Sequence, residues 1–246
     1  MEVELFVTCL VDGLCPEVGT ATAQVLERAG CEVVFNPQQT CCGQPAFNTG
    51  LTLEARDLAR KFVSDYRQSA APIVVPSGSC ADMLTHHLPQ LLPDDEDART
   101  VSNRVTELTA FLVDVLGVTD LGAVCETRAV YHYSCHGLRN LGLSDQADQL
   151  LAGVAGLERV PLAEDRECCG FGGLFSMEMP DVSAAIMNTK LDLIEQADPE
   201  VIVGGDVSCL LHLEGGMQRR RSPIVVKHIA EVLAEQRPSS QSPSPG

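Results

Sequence analysis

Eight of the eleven cysteines in this chain of 246 residues fall into two matching sets. The first runs Cys9, then Cys41-Cys42 after 31 residues, then Cys80 after a further 37. The second runs Cys135, then Cys168-Cys169 after 32 residues, then Cys209 after a further 39. Thiolates are soft metal ligands, and four per set is the number that commonly holds one [4Fe–4S] cluster. Zinc, the competing metal, favours Cys-x-x-Cys knuckles, and the chain has none. Thiol–disulfide exchange is a poor fit for the same reason, and a bond between adjacent cysteines closes a strained ring.

Each adjacent pair is followed by glycine, in "CCGQPAFNTG" (41–50) and "CCGFGG" (168–173). Neighbouring side chains diverge in extended backbone, so both cysteines of a pair can face one centre only across a tight turn. Gly43 and Gly170 can supply the positive φ of such a turn. Gly172 and Gly173 would let the backbone come close and offer N–H groups to sulfur. The expected metal ligands are therefore Cys9, Cys41, Cys42, Cys80, Cys135, Cys168, Cys169 and Cys209. Gly43, Gly170, Gly172 and Gly173 are expected at the cofactor, one or two clusters per chain, and no catalytic residue is expected. His132 and His136 flank Cys135 and could each donate a hydrogen bond to a cluster sulfur; the plainer alternative is an ordinary strand or loop histidine. Cys31, in "GCEVVF", reads as a small core residue. Cys15 and Cys125 break the repeat and read as incidental. "GFGG" follows cysteines rather than a strand, which argues against a dinucleotide loop. No Walker loop, Gly-x-Ser-x-Gly elbow or metalloprotease motif is present, so nothing here could carry hydride transfer by itself.

The elements that must position these residues alternate. β-rich runs occur at 3–8, 32–35, 73–76, 129–133, 157–162, 200–204 and 223–226, with helix-like spacing between them. "PEVGTATAQVLERAG" opens on Pro16, suited to a first helical turn, and stops at Gly30. "TLEARDLARKFVSDYR" has Thr52 as its expected N-cap, and "DVSAAIMNTKLDLIEQAD" has Asp181. Strands alternating with helices indicate βαβ units and a parallel sheet. The two cysteine sets are offset by 126, 127, 127 and 129 residues. Their surroundings repeat too: "APIVVPSGSCADML" matches "PEVIVGGDVSCLLHL", and "VTELTAFLVDVLG" and "VVKHIAEVLAEQ" read as similar closing helices. The fold class expected is α/β, in two pseudo-symmetric halves, each a small parallel sheet flanked by helices. The expected boundaries are 1–120 and 121–236, with a disordered tail at 237–246 built only from Arg, Pro, Ser, Gln and Gly.

The bulk numbers exclude other classes. With 45% apolar and 21% charged residues the chain reads as globular. No apolar run nears the roughly 18 residues of a membrane span, and "MEVELFVTCL" is not a secretory signal. A cytoplasmic location is expected, where clustered cysteines serve metals or redox chemistry rather than disulfides. A net charge of −17 argues against nucleic acid and anionic membrane surfaces. "RRR" (219–221) reads as a solvated helix end and "PDDEDA" (93–98) as an exposed acidic loop.

The cysteine pattern resembles the cysteine-rich CCG domain of heterodisulfide reductase and related iron–sulfur proteins. More closely, "FVTC", "CCGQPAFNTG", "YHYSC", "CCGFGGLFS", "GDVSCLLHL" and "HIAEVL" resemble the lactate-utilisation protein A family, over about residues 4 to 235. That resemblance implies an iron–sulfur subunit that oxidises L-lactate to pyruvate together with a ferredoxin-like iron–sulfur subunit and a small third subunit. From the net charge and the lack of a long apolar run, no nucleic acid partner and no direct membrane insertion are expected. The wider pattern ends in Cys-x-x-Cys, whose last cysteine is replaced here by Met83 and by His212. Five-thiolate chemistry is thereby disfavoured, and His212 reads either as a ligand or sulfur neighbour or as a plain helix-face residue.

Overall fold

The structure is a computed structural model that describes residues 1–236; the tail expected at 237–246 lies outside the described residues. The first half contains β1 (Glu2–Leu5), α1 (Cys9–Leu14), α2 (Pro16–Arg28), β2 (Glu32–Phe35), α3 (Gln44–Asn48), α4 (Thr52–Tyr66) and β3 (Ile73–Val75). It continues with α5 (Gly78–Asp82), α6 (Leu88–Leu91), α7 (Glu96–Ser102), β4 (Val105–Glu107) and α8 (Leu108–Ala110). The second half contains β5 (Val124–His132), α9 (Cys135–Arg139), α10 (Gln146–Ala152), β6 (Ala155–Arg159), α11 (Leu174–Glu178) and α12 (Pro180–Ala197). It ends with β7 (Val201–Gly204), α13 (Val207–Arg220), β8 (Val225–His228) and α14 (Ile229–Ala234). π-helical turns at Met83–His87 and Phe111–Val115 prolong α5 and α8.

Each half forms one four-stranded parallel sheet, in the orders β2-β1-β3-β4 and β6-β5-β7-β8. The orders are equivalent, as the repeat requires. Because side chains alternate across a strand, each sheet presents two apolar faces. Phe6, Ile73 and Val75 face a core whose buried residues all come from the first half, closed by Ala55, Ala59, Phe62, Val63 and Tyr66 of α4. Val130 and Ile202 do the same in the second half against Met187, Leu191 and Ile194 of α12. The opposite faces, with Val3, Leu5 and Val74 from one sheet and Ala129, Tyr131, Val201 and Val203 from the other, meet in a single central core. There the closing helices are exchanged: α14 packs on α2 of the other half, and α8 packs on α10. Arg28 fastens one exchange, donating from its guanidinium to the Leu233 and Ala234 carbonyls at 2.8 and 2.9 Å. Among the described residues no helix is long and apolar enough to cross a membrane.

Several local expectations need correction. β4 is absent from the sequence-derived strands, because it is three residues long and runs straight into helix; Glu107 ends the strand and caps α8, accepting from the Thr109 and Ala110 N–H groups. Helix α4 begins one residue and α12 two residues earlier than expected, with Leu51 and Met179 in the cap position and no side-chain cap bond. Residues 93–98 are not all loop: Asp95 caps α7, and Glu96 and Asp97 form its first turn, where acidic side chains favour the helix dipole. The Arg219–Arg221 run does end α13, but Arg220 is bound to Asp192 and Glu195 of α12 rather than solvated.

Candidate metal centre

All four helices that carry the outer cysteines begin with a side-chain cap. Thr8 accepts from the Val11 N–H and Ser134 from the Gly137 N–H, so Cys9 and Cys135 open α1 and α9 directly after their caps. Ser77 accepts from the Cys80 N–H and Asp206 from the Ser208 N–H, which places Cys80 and Cys209 in the first turns of α5 and α13. A helix N-terminus carries partial positive charge and lowers the cost of a thiolate. Sequence reasoning missed these caps, although the signal is there: Thr or Ser directly before the cysteine, or Ser or Asp three residues before it.

The adjacent pairs enter from the loops after β2 and β6. Gly43 and Gly170 adopt φ of +93° and +88°, the left-handed conformation that lets both cysteines turn inward. Gly43 donates its N–H to Cys41 Sγ at 3.5 Å, and Gly170 to Cys168 Sγ at 3.3 Å. A further N–H, that of Phe171, points at Cys169 Sγ at 3.5 Å. Gly172 and Gly173 also have positive φ and border the site, but the sulfur-directed N–H groups belong to their predecessors.

Each quartet converges. Cys9 and Cys41 sulfurs lie 3.6 Å apart, Cys42 and Cys80 3.4 Å, and Cys169 and Cys209 3.1 Å. Cys41 is pulled down to about 3 by the thiols of Cys42 and Cys9 and by backbone N–H groups. Cys168 is pulled down to about 2 by Cys135 and Cys169 and by the Gly170 N–H. The donors, Cys9 and Cys42 or Cys135 and Cys169, are pushed up, first by giving those bonds and then by burial and neighbouring charge. Each quartet thus holds one thiolate readily and resists further negative charge unless a cation shares it.

Both quartets face the same cleft, with about 420 Å³ open to water-sized molecules. Its floor joins the halves: Asp206 Oδ2 accepts from the Ser79 N–H at 2.8 Å and from the Ser77 hydroxyl at 3.1 Å. The approach is close, since a Cβ on Gly78 would lie 2.7 Å from Ser134 Oγ.

The histidines separate. His132 is buried, one of its ring nitrogens lies within 4.8 Å of the Cys169 and Cys209 sulfurs, and neither nitrogen has a hydrogen-bond partner among the described residues. Burial and the charge of Lys190 push it down to about 3, so its ring is neutral. His136 has Nδ1 3.7 Å from Cys135 Sγ. Across the half boundary its Nε2 lies 3.9 Å from buried Asp82, which also accepts from Asn140 at 2.7 Å. His212 lies outside the cleft lining, against Ser183 at 3.4 Å and the Phe171 ring at 5.7 Å. Met83 is fully buried in the first-half core. Cys31 and Cys125 belong to the central core and Cys15 lies beside α1; none of them reaches the cleft.

Residues 3–85 and 129–214 each match a family described as a cysteine-rich domain. Over 238 residues the chain is 48% identical to the lactate utilization protein A of Exiguobacterium sp. (strain ATCC BAA-1283 / AT1b), covering 95% of this chain and 97% of that one. It is 46% identical over 237 residues to the protein of the same name from Geobacillus kaustophilus, covering 95% and 98%. The counterpart from Bacillus licheniformis is 44% identical, with coverage of 95% and 99%.

Proposed function

We propose, since this chain belongs to the lactate utilization protein A family and carries the cysteine-rich domain twice, that it is the iron–sulfur electron-transfer subunit of a complex oxidising L-lactate to pyruvate. A role in lactate utilisation rests on those relatives. The electron-transfer part rests on one observation: eight cysteines, four from each half, line a single cleft. The halves at 1–120 and 121–236 would each contribute one quartet, Cys9, Cys41, Cys42 and Cys80 or Cys135, Cys168, Cys169 and Cys209.

The donor set fits a cluster. Four soft thiols per quartet are already drawn together, one of them poised as thiolate, with backbone N–H groups aimed at sulfur from Gly43, Gly170 and Phe171. A bound cluster would supply one-electron transfer at these positions. The chain's own residues hold it, shield its inner side behind the cores of the two halves and set its electrostatic surroundings. Lactate oxidation releases two electrons and two protons, and no flavin or nicotinamide motif accompanies the cysteines. The substrate carbon is therefore assigned to the complex, with a ferredoxin-like iron–sulfur subunit and a small third subunit as partners.

A second reading, a zinc-stabilised thiol scaffold, is favoured by the sulfur separations of 3.1–3.6 Å. They approach the roughly 3.8 Å between thiolates around a tetrahedral zinc with bonds of about 2.3 Å. Against it stands the cleft, since one zinc wrapped by four touching thiolates needs no such volume. Anaerobic purification followed by iron, sulfide and zinc analysis decides. Iron and acid-labile sulfide in equal amounts, with broad visible absorption bleached by dithionite, support the cluster. Zinc without sulfide, in a colourless protein, refutes it.

A further inference from the structure

The internal repeat allows each residue under one quartet to be compared with its counterpart under the other. Three residues before Cys9 stands Phe6, and three before Cys135 stands His132. The buried face of α4 reads Ala55, Ala59, Phe62, Val63 and Tyr66, and that of α12 reads Ser183, Met187, Lys190, Leu191 and Ile194, at identical spacing. Lys190 therefore occupies the place of Phe62. In the first half Phe6 and Phe62 pack edge to face, centroids 5.3 Å apart. In the second half that aromatic pair has become a histidine and a lysine, as buried as the phenylalanines they replace: His132 is 2% exposed and Lys190 0%.

Such an exchange is costly. A buried ammonium loses its hydration, and an unpartnered imidazole loses its hydrogen bonds. Lys190 recovers one bond, donating to the Asp165 carbonyl at 2.7 Å, whereas both His132 nitrogens stay free among the described residues. Burial pushes Lys190 down to about 8, and the compensation available is negative charge nearby, from Asp165 and Glu167 and then from the sulfurs of Cys169 and Cys168, which favours its charged form. The first quartet has no counterpart of this pair.

We infer that the quartets hold electronically different centres, and that buried Lys190 and His132 make the centre at Cys135, Cys168, Cys169 and Cys209 the easier one to reduce. This rests on the cluster reading above. Reduction deposits one negative charge on a centre, and a buried cation together with a buried imidazole whose nitrogen lies within 4.8 Å of two sulfurs favours that charge in a poorly screened interior. An electron passed between the centres oxidises the first and reduces the second by one, with no bond made or broken. Lys190 and His132 are positioning residues for that charge.

The test is a dithionite titration of the anaerobically loaded full chain, followed by electron paramagnetic resonance at controlled potentials. Each signal is assigned with chains lacking one quartet, Cys41→Ser/Cys42→Ser or Cys168→Ser/Cys169→Ser. In the parent chain the second centre should be reduced first. Lys190→Met should change its reduced-to-oxidised ratio at least tenfold toward the oxidised form, about 59 mV for a one-electron couple. His132→Phe/Lys190→Phe, which restores the aromatic pair, should bring the two centres together. Equal potentials in the loaded parent, or a first centre reduced before the second, overturn the inference even where the core variants do not fold. A chain that binds no iron and sulfide at all overturns the cluster reading instead.

Discussion

Alanine at Gly43 and alanine at Gly170 separate two causes of the turn after each cysteine pair. Both glycines have positive φ, +93° and +88°. A side chain there brings Cβ against a carbonyl oxygen, at a cost of about 1–2 kcal/mol. Beyond that the sites differ. A Cβ on Gly43 would meet Leu58 Cβ at 3.5 Å, an ordinary van der Waals contact. A Cβ on Gly170 would stand 2.6 Å from the Ser183 carbonyl oxygen and 3.1 Å from the Met187 nitrogen, both backbone atoms of α12. Helix backbone does not yield as the tip of a side chain does, so overpacking adds about 1–3 kcal/mol. Gly43→Ala should therefore cost about 1–2 kcal/mol and Gly170→Ala about 2–5 kcal/mol. Urea unfolding of the metal-free chain, followed by far-ultraviolet circular dichroism, measures both losses under one condition. Equal losses, or a Gly170→Ala chain within about 0.5 kcal/mol of the parent, would refute the claim that packing on α12 fixes the second turn.

Other outcomes follow from the site and its supports. Cys168→Ser should lower iron and sulfide content, since an alcohol is a poor substitute for a soft thiolate. Cys31→Ala, in the central core, should leave that content unchanged, and equal iron loss from it would show that the ligands were wrongly chosen. His228 is buried at the cap of α14, and burial pushes its imidazole down to about 4 from 6.5. The unfolded chain takes up that proton first as pH falls, so this contribution is whole above about pH 6.5 and gone below about pH 4, a loss of roughly 3 kcal/mol. His228→Asn keeps a capping side chain and should flatten this part of the stability profile; a slope as steep as the parent's counts against it. The loaded chain alone should not turn over L-lactate with an artificial acceptor. Activity should appear on adding the partner subunits and should weaken with salt, because a charge of −17 calls for basic patches on a partner. Turnover by the isolated chain would move the substrate site here.

The alternation of strand-like and helix-like runs makes the parallel α/β class legible in the sequence alone, and the cysteine spacing does the same for the repeat and its two cysteine sets. Apolar runs such as "PIVVP" and "VIVGG" are unambiguous strands because they are buried on both faces. Val105–Glu107 is not legible, since three residues leading into a helix carry no period of their own. Cap positions one and two residues off, at Leu51 and Met179, reflect helices that start without side-chain capping, which residue type cannot reveal. The exchange of Phe6 and Phe62 for His132 and Lys190 lies in the sequence throughout. Its meaning needs burial, because on an exposed helix face Lys190 would be ordinary. The shared core is the least visible feature, since no periodicity says which half a closing helix will cover.

That last arrangement bears on how the chain folds as it is made. Helix α2 leaves the ribosome some two hundred residues ahead of the helix that covers it, Ile229–Ala234. Until then Val25 and Leu26 have no lid, and the Arg28 guanidinium lacks the Leu233 and Ala234 carbonyls that receive it. Contacts this distant in sequence are slow to form, and uncovered apolar surface invites aggregation while they are pending. A nascent first half therefore carries that surface uncovered, and truncation shortly before residue 229 would strand both halves in that state, although every cysteine is already present.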